Sequence, residues 1–201
     1  MADWRDIYDF WFGAPGSDGH GEVREFWFAS TPDIDREIEE RFLDQYRRAA
    51  AGDFEDWKSD ARGWVALIVL LDQVPRNVFR GNGQSFAADP VALASARELE
   101  ASPLHRELIT VEKLFAYLPF EHSEQIDDQM KSVALFEAID HHEQKAEWVE
   151  FAVLHKDIVA KFGRFPHRNA ILGRESTPEE KAWLEASDQR FGTVPDEGKK
   201  S

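Results

Sequence analysis

The sequence predicts an all-α protein of about eight helices with no substantial β-sheet. Apolar residues recur at helical spacing along most of the chain, prolines and glycines separate these segments, and strand-like alternation is scarce. With 201 residues, of which 42% are hydrophobic and 12% aromatic, the chain can bury a sizeable core and suits one domain. We expect this domain to span residues 1–192 and residues 193–201 to form a frayed tail.

Three helices are predicted in the first part of the chain. The segment IYDFWFG places its apolar residues on one helical face and stops at a glycine. Residues 33–51 carry an apolar residue at every fourth position and end at Gly52. Residues 60–74 contain the longest apolar run and end before Pro75, because a residue that precedes proline avoids the helical conformation.

The rest of the chain gives five further helices by the same signals. They start at Asp89-Pro90 and Ser102-Pro103, cover 124–141, end at Gly163 and start again at Thr177-Pro178. Proline suits the first helical position, and threonine before it suits the N-cap. The helix that starts at Ser102-Pro103 is expected to end at Pro119.

Composition excludes several classes of function. The net charge of −15 opposes general binding to nucleic acid or anionic membranes, since phosphates would be repelled. The N-terminal aromatic residues, including Trp27 and Phe28, lack interleaved basic residues and are expected to pack in the core. Without cysteine the chain has no disulfide, thiol nucleophile or thiolate metal ligand.

Charged residues interrupt the apolar N-terminal segment, so no secretory signal is predicted. The run Gly63–Leu71 is far shorter than the ~20 residues that a membrane span needs. We therefore expect a soluble cytoplasmic protein with neither a nucleic-acid partner nor a membrane partner. The sequence leaves the oligomeric state open.

Two segments concentrate positive charge in this acidic chain. Residues 73–88 and 161–174 contain basic side chains and no carboxylate. The polar residues of interest are Arg76, Asn77 and Arg80 in the first segment, and Lys161, Arg164, His167, Arg168, Asn169 and Arg174 in the second. Arginine forks and amide donors would suit a carboxylate or phosphate ligand. Alternatively, the cations neutralise helix ends, or pair with a buried carboxylate such as Asp72.

The segment LPFEHSE is a second candidate site. Glu121, His122 and Glu124 have side chains that suit acid–base catalysis or metal binding. Their spacing matches no metal motif, so we predict no metal site. The alternative is that Ser123 or Glu124 caps the helix that follows.

His155 lies on the apolar face of its helix, where a histidine is ordinarily a hydrogen-bonded core residue. The same helix leads directly into Arg164 and Asn169, which makes His155 a candidate as well. Nucleophile-elbow, dinucleotide-binding and phosphate-loop motifs are missing from the sequence. We therefore predict no cofactor, and the sequence leaves open whether the protein is an enzyme.

Several stretches together resemble one family. IYDFWFG, LIVLLDQVPRNVFRG, FAADPVALA, YLPFEHSE, DQMKSVALFE and HKDIVAKFGRFPHRNAILGRESTPEE follow each other as in the DUF924 family, bacterial proteins of unknown function. The resemblance extends from about Asp6 to Phe191. It implies an all-α, tetratricopeptide-like helical superhelix, and no established activity comes with it.

The family motifs are mostly polar, whereas a pure packing scaffold would carry mainly apolar signatures. This favours a polar pocket, and the candidate ligand-binding residues are Asp72, Arg76, Asn77, Arg80, Glu121, His122, His155, Arg164, His167, Arg168, Asn169 and Arg174. The arginines would hold a small anionic ligand or an acidic peptide end. The histidines would supply hydrogen bonds, or proton transfer if the protein is a catalyst.

Three alternatives stay open from sequence. The protein could be an adaptor that binds a partner protein in a tetratricopeptide-like groove. It could be a hydrolase-like enzyme that uses histidine and glutamate in the pocket. The polar motifs could also fasten one helix to the next as a satisfied polar core.

Overall fold

The computed structural model describes residues 3–186, so the tail predicted at 193–201 lies outside the described residues. Within this range eight α-helices have nine residues or more, one has five, and there is no strand, which confirms the all-α class. The helices are α1 Trp4–Phe12, α2 Pro32–Ala50, α3 Ala61–Asp72, α4 Val74–Val78, α5 Asp89–Ala101, α6 Thr110–Glu121, α7 Ile126–Glu137, α8 Lys145–Phe162 and α9 Pro178–Ala186. None of these described helices has both the length and the apolar character needed to cross a membrane.

Helix α3 is the central element of the fold. It packs against α1, α2, α5 and α6, and every side chain from Trp64 to Asp72 is buried. Asp60 caps its first turn by accepting hydrogen bonds from the backbone of Arg62 and Gly63. A Cβ atom at Gly63 would lie 2.6 Å from the Trp57 carbonyl, so this close approach requires glycine.

The second half of the fold is built on α6, which packs against α3, α5 and α7, while α8 packs along α7. The sequence predicted one helix from Ser102-Pro103 to Pro119, and both of these ends are wrong. Residues Pro103–Glu107 form a separate 3₁₀ turn, and α6 continues through Pro119 to Glu121. Proline is tolerated because the next turn still closes, with the His122 N–H bonded to the Leu118 carbonyl at 2.9 Å.

Other boundaries agree more closely with the sequence. Helix α3 ends before Pro75, α2 ends at the glycine predicted to follow it, and α8 ends at Gly163. Helix α7 is shorter than the predicted 124–141, since it covers Ile126–Glu137. The tetratricopeptide-like superhelix stays a prediction.

An aromatic cluster around Phe115 joins the N-terminal segment to α6. The Phe115 ring meets Trp11, Phe12 and Trp27 in edge-on arrangements, with centroid distances of 5.7, 5.5 and 4.8 Å. Such pairs stabilise a core beyond the area they bury. Trp27 thus packs as predicted from the sequence, whereas the same prediction for Phe28 is wrong, since its side chain is 62% exposed.

We predict that Phe115→Ala lowers the free energy of unfolding by about 3–5 kcal/mol, because it leaves a cavity among several aromatic rings. Urea denaturation followed by tryptophan fluorescence measures the change. Met130→Ala is the matched control, since Met130 is 53% exposed on α7. It is expected to change stability by about 0.5 kcal/mol or less. Equal losses in the two variants would contradict this view of the core.

Candidate functional site

A cavity of about 390 Å³ lies between the α4 segment, α6, α7, α8 and the turn Pro166–Arg168. Its lining combines polar and apolar side chains, and we call these two sets its polar side and its apolar side. The polar side includes Gln73, Arg76, Asn77, Arg80, Glu121, His122, His155, His167 and Arg168. The apolar side includes Trp27, Phe28, Phe86, Leu114, Leu118, Phe136, Trp148 and Phe151. Eight of the twelve predicted site residues therefore line one cavity.

The turn between α3 and α4 places Arg76 on this lining. Pro75 stands in the first turn of α4, so the chain restarts a helix at once and Arg76 lies beside the end of α3. Arg76 donates to the Asp72 carbonyl at 2.6 Å and forms a two-pronged ion pair with Asp89 at 2.9 and 3.1 Å. Arg76 thus both neutralises a helix end and lines the cavity.

Arg80 and Asn77 share a carboxylate from α2. Asn77 donates to Asp35 at 2.8 Å, and Arg80 lies 3.2 Å from the same carboxylate. Both side chains are part-buried at one side of the cavity. Asp35 therefore fixes the positions of these two predicted residues.

Asp72 lies behind the lining as a buried carboxylate that is only 1% exposed. It accepts hydrogen bonds from Gln73 at 2.6 Å and from His122 Nδ1 at 2.8 Å, and it lies 3.3 Å from Arg76. Burial alone would raise the pKa of Asp72, but Arg76 and the hydrogen bonds lower it to about 2. Asp72 is therefore ionised, and His122 Nδ1 carries the donated proton.

Glu121 and His155 form the next pair along the lining. Glu121 is 4% exposed, and its Oε1 lies 3.4 Å from His155 Nδ1. Burial, reinforced by the negative charge of Asp72, raises the pKa of Glu121 to about 8. Burial lowers the pKa of His155 to about 3, and its Nδ1–H donates to the Phe151 carbonyl at 2.8 Å. Near neutral pH both groups are therefore uncharged.

Arg168 is a buried cation of the same lining. Its guanidinium lies between the rings of Phe86 and Phe165, 4.5 and 4.6 Å from their centroids. Among the described residues it forms an ion pair with Asp89 at 3.4 Å, and Asp89 already binds Arg76. Burial lowers the pKa of Arg168 to about 10, so the side chain stays charged at neutral pH.

Three predicted residues lie outside the described lining and fasten the C-terminal segment instead. Arg164 pairs with Glu180 at 2.6 Å, and Asn169 donates to the same carboxylate at 3.2 Å. Arg174 pairs with Glu124 at 2.7 and 2.9 Å. These contacts hold the turn that carries His167 and Arg168 against the cavity.

Of the candidate acid–base or metal set of the LPFEHSE segment, Glu121 and His122 line the cavity and Glu124 does not. Glu121 faces His155, His122 bonds to Asp72, and Glu124 accepts from Arg174 and from the Phe165 backbone. Across residues 3–186 no group of three or more histidine or acidic side chains is arranged to hold a metal ion. The alternative that Ser123 or Glu124 caps α7 is wrong, since the N-cap residue is Gln125 and α7 has no side-chain cap.

Sequence reasoning missed Asp89, Asp35 and most of the apolar lining. The sequence indicates Asp89 only as the start of a helix, yet its carboxylate contacts both Arg76 and Arg168. The excess of basic residues in the two segments is the signal that could have indicated these carboxylates. Buried arginines require carboxylate partners, and these segments contain none. Trp148 and Phe151 gave no signal beyond ordinary helix amphipathicity.

Fold and lining together define an all-α protein whose cavity combines buried arginine and histidine with aromatic side chains. The protein-family model described as "Bacterial protein of unknown function (DUF924)" matches residues 7–188, and the chain belongs to this family. It is also similar to the solved structure of a protein of unknown function, ATU0120, from Agrobacterium tumefaciens. The two are 36% identical with a TM-score of 0.80, over 92% of this chain and 97% of that one. No curated protein matches the chain.

The buried carboxyl of Glu121 predicts a characteristic pH dependence of stability. Its folded pKa of about 8 lies above its ordinary value of 4.5, so between these values the folded state keeps a proton that the unfolded state releases. Stability therefore falls as pH rises through this window and levels off above it. In the wild type this decrease is up to about 1.4 kcal/mol per pH unit, and we expect it to be absent in Glu121→Gln.

Urea denaturation of both proteins at about pH 5, 6.5 and 8 measures the difference. Glu147→Gln is the control, because Glu147 is an exposed carboxylate of the same lining. That variant should follow the pH dependence of the wild type. Parallel curves for the wild type and Glu121→Gln would show that the Glu121 carboxyl is already ionised in the folded protein.

Proposed function

We propose that the protein binds a small organic carboxylate with an apolar body, such as an aryl or acyl acid, in this cavity. The carboxylate would lie at Arg168 and Arg76, and the apolar body would contact the apolar side of the cavity. The observation that carries this proposal is the incomplete pairing of Arg168.

A buried guanidinium costs free energy unless its charge and its N–H donors are matched. Arg168 is 7% exposed, its Nε atom has no hydrogen-bond partner within residues 3–186, and it shares Asp89 with Arg76 at the longer distance. A bound carboxylate would supply the missing acceptor. Arginine suits this ligand because its fork matches two carboxylate oxygens.

The apolar side supports an amphipathic ligand rather than an inorganic anion. Phe86 and Trp148 are buried along the lining, and Phe28 and Phe151 are exposed and also line the cavity. Sites for small molecules are mostly apolar, with a few polar groups that fix the orientation of the ligand. Phosphate alone would leave the aromatic side in contact with water.

The size of the cavity favours a small molecule over a peptide. A volume of about 390 Å³ falls at the lower end of the range for small-molecule sites, ~300–1,000 Å³. A peptide-binding adaptor would require an extended groove along several helices. We therefore prefer the ligand-binding proposal to the adaptor.

The test uses 3-phenylpropanoate as the probe, with acetate and inorganic phosphate for comparison. We predict that 3-phenylpropanoate raises Tm, because at a concentration of about 100 times Kd a ligand adds about 2.7 kcal/mol of stability. Calorimetric titration then gives Kd. Arg168→Gln should weaken binding by about tenfold or more, the effect of losing a charge-assisted hydrogen bond.

Arg97→Gln is the matched control, since Arg97 is a surface arginine that pairs with Asp128 away from the cavity. It should bind the probe like the wild type. Trp148→Ala should weaken 3-phenylpropanoate and leave acetate unchanged, because only the former reaches the aromatic side. If no carboxylate shifts Tm, or if Arg168→Gln binds normally, the proposal is wrong.

A further inference from the structure

The Asp72–His122 pair leaves one ring nitrogen of His122 with a lone pair. Asp72 accepts the Nδ1 proton at 2.8 Å, so in the neutral imidazole Nε2 is an acceptor. His122 belongs to the cavity lining, whereas Asp72 lies behind it. A buried carboxylate that fixes the tautomer and orientation of a histidine is the arrangement of a positioned general base.

Glu121, the preceding residue, complements this base. It also lines the cavity, its Oε2 has no hydrogen-bond partner among the described residues, and its other oxygen lies 3.4 Å from His155. Burial and the Asp72 charge raise its pKa, while burial and the Arg76 charge lower that of His122. Neighbouring groups whose proton affinities are shifted in opposite directions are the mark of an acid–base pair.

We propose that the cavity catalyses proton transfer on its ligand, with His122 Nε2 as the base and the Glu121 carboxyl as the acid. The substrate class is the 2-oxo carboxylic acids that carry an apolar group, and the reaction is enolisation. This inference rests on the proposed carboxylate binding at Arg168.

The step balances without a further reactant. His122 Nε2 takes a proton from C3, and the electrons of that C–H bond form the C2–C3 double bond. The carbonyl π electrons move to the C2 oxygen, which takes a proton from Glu121. Protonated His122 and ionised Glu121 then exchange protons with water to restore the starting state. Asp72 is a positioning residue in this scheme, since it acts through His122.

The cations explain the choice of a 2-oxo acid. Arg168 and Arg76 would hold the carboxylate, and the adjacent C2 oxygen would develop negative charge close to the same guanidinium groups. Preorganised cations at a developing oxyanion are among the largest contributions to catalysis. The aromatic side would hold the group attached to C3.

The experiment uses phenylpyruvate in D₂O with the full chain. Proton NMR follows the loss of the C3 proton signal, and calorimetric titration measures binding in the same buffer. We expect the wild type to accelerate exchange over buffer alone by about 100-fold or more, the usual range of general acid–base catalysis. His122→Gln and Glu121→Gln should each lose most of this acceleration while binding phenylpyruvate with unchanged affinity.

His105→Gln is the matched histidine control, since His105 bonds to Tyr117 outside the described lining and should leave exchange unchanged. Should His122→Gln fail to fold, Glu121→Gln decides the question, because glutamine has the shape of the protonated acid. Asp72→Asn should slow exchange and change the ¹⁵N shifts of His122 toward the other tautomer. A purely structural Asp72 would leave that tautomer unchanged.

The pH dependence gives an independent readout. Exchange should fall at acid pH as His122 gains a proton and at alkaline pH as Glu121 loses one, near pH 8. The charged or titratable groups around this pair come from α3, α4, α5, α8 and the turn after α8: Asp72, Arg76, Asp89, His155, His167 and Arg168. In the residual exchange of Glu121→Gln, the alkaline limb should be missing and the acid limb should remain.

The outcomes separate the two proposals. Phenylpyruvate that binds at Arg168 without faster exchange overturns the catalytic inference and leaves carboxylate binding intact. Exchange that survives in His122→Gln overturns the role of the base. If neither phenylpyruvate nor 3-phenylpropanoate binds, the proposed function is wrong and the inference fails with it.

Discussion

The polar side of the cavity depends on the buried carboxylate of Asp72. It lies at the last residue of α3, the central helix, where Gln73, Arg76 and His122 all contact it. An ionised carboxylate at this depth is stable only because these groups supply charge and donors. Burial raises the pKa of neighbouring Glu121 and the Asp72 charge raises it further, so Asp72 fixes the tautomer of His122 and helps to keep Glu121 protonated.

Arg168 is positioned by contacts that lie outside the cavity. Arg164 and Arg174 each form close ion pairs with carboxylates of other segments, and these pairs hold the turn in place. Such positioning allows Arg168 to stay buried with only a long contact to Asp89. The satisfied polar core that the sequence left open as an alternative therefore describes part of this region, and the cavity lining describes the rest.

The sequence predicted helix boundaries best where their signals are local: α5 begins at Asp89-Pro90, and Gly163 ends α8. Pro75 does not end α3, which stops at Asp72, but lies in the first turn of α4. The sequence could not separate Arg164 from Arg168. On a continuous helix, two residues that are four positions apart share a face. The chain instead leaves the helix at Gly163, whose φ is +70°, and then enters a 3₁₀ turn. Arg164 and Arg168 therefore contact different partners. Contacts such as Asp72 with His122, 50 residues apart, require the tertiary fold.

The proposed selectivity for an amphipathic acid would follow from the similar size of two free energies. A charge-assisted hydrogen bond to Arg168 is worth about 1.5–3 kcal/mol, and burying an apolar side chain the size of phenylalanine is worth about the same. An acid without an apolar body would lose the second contribution, and an apolar molecule without a carboxylate would leave the buried Nε of Arg168 without an acceptor. Because neither contribution dominates, the proposed ligand would need both groups, and inorganic anions and simple hydrocarbons would bind more weakly.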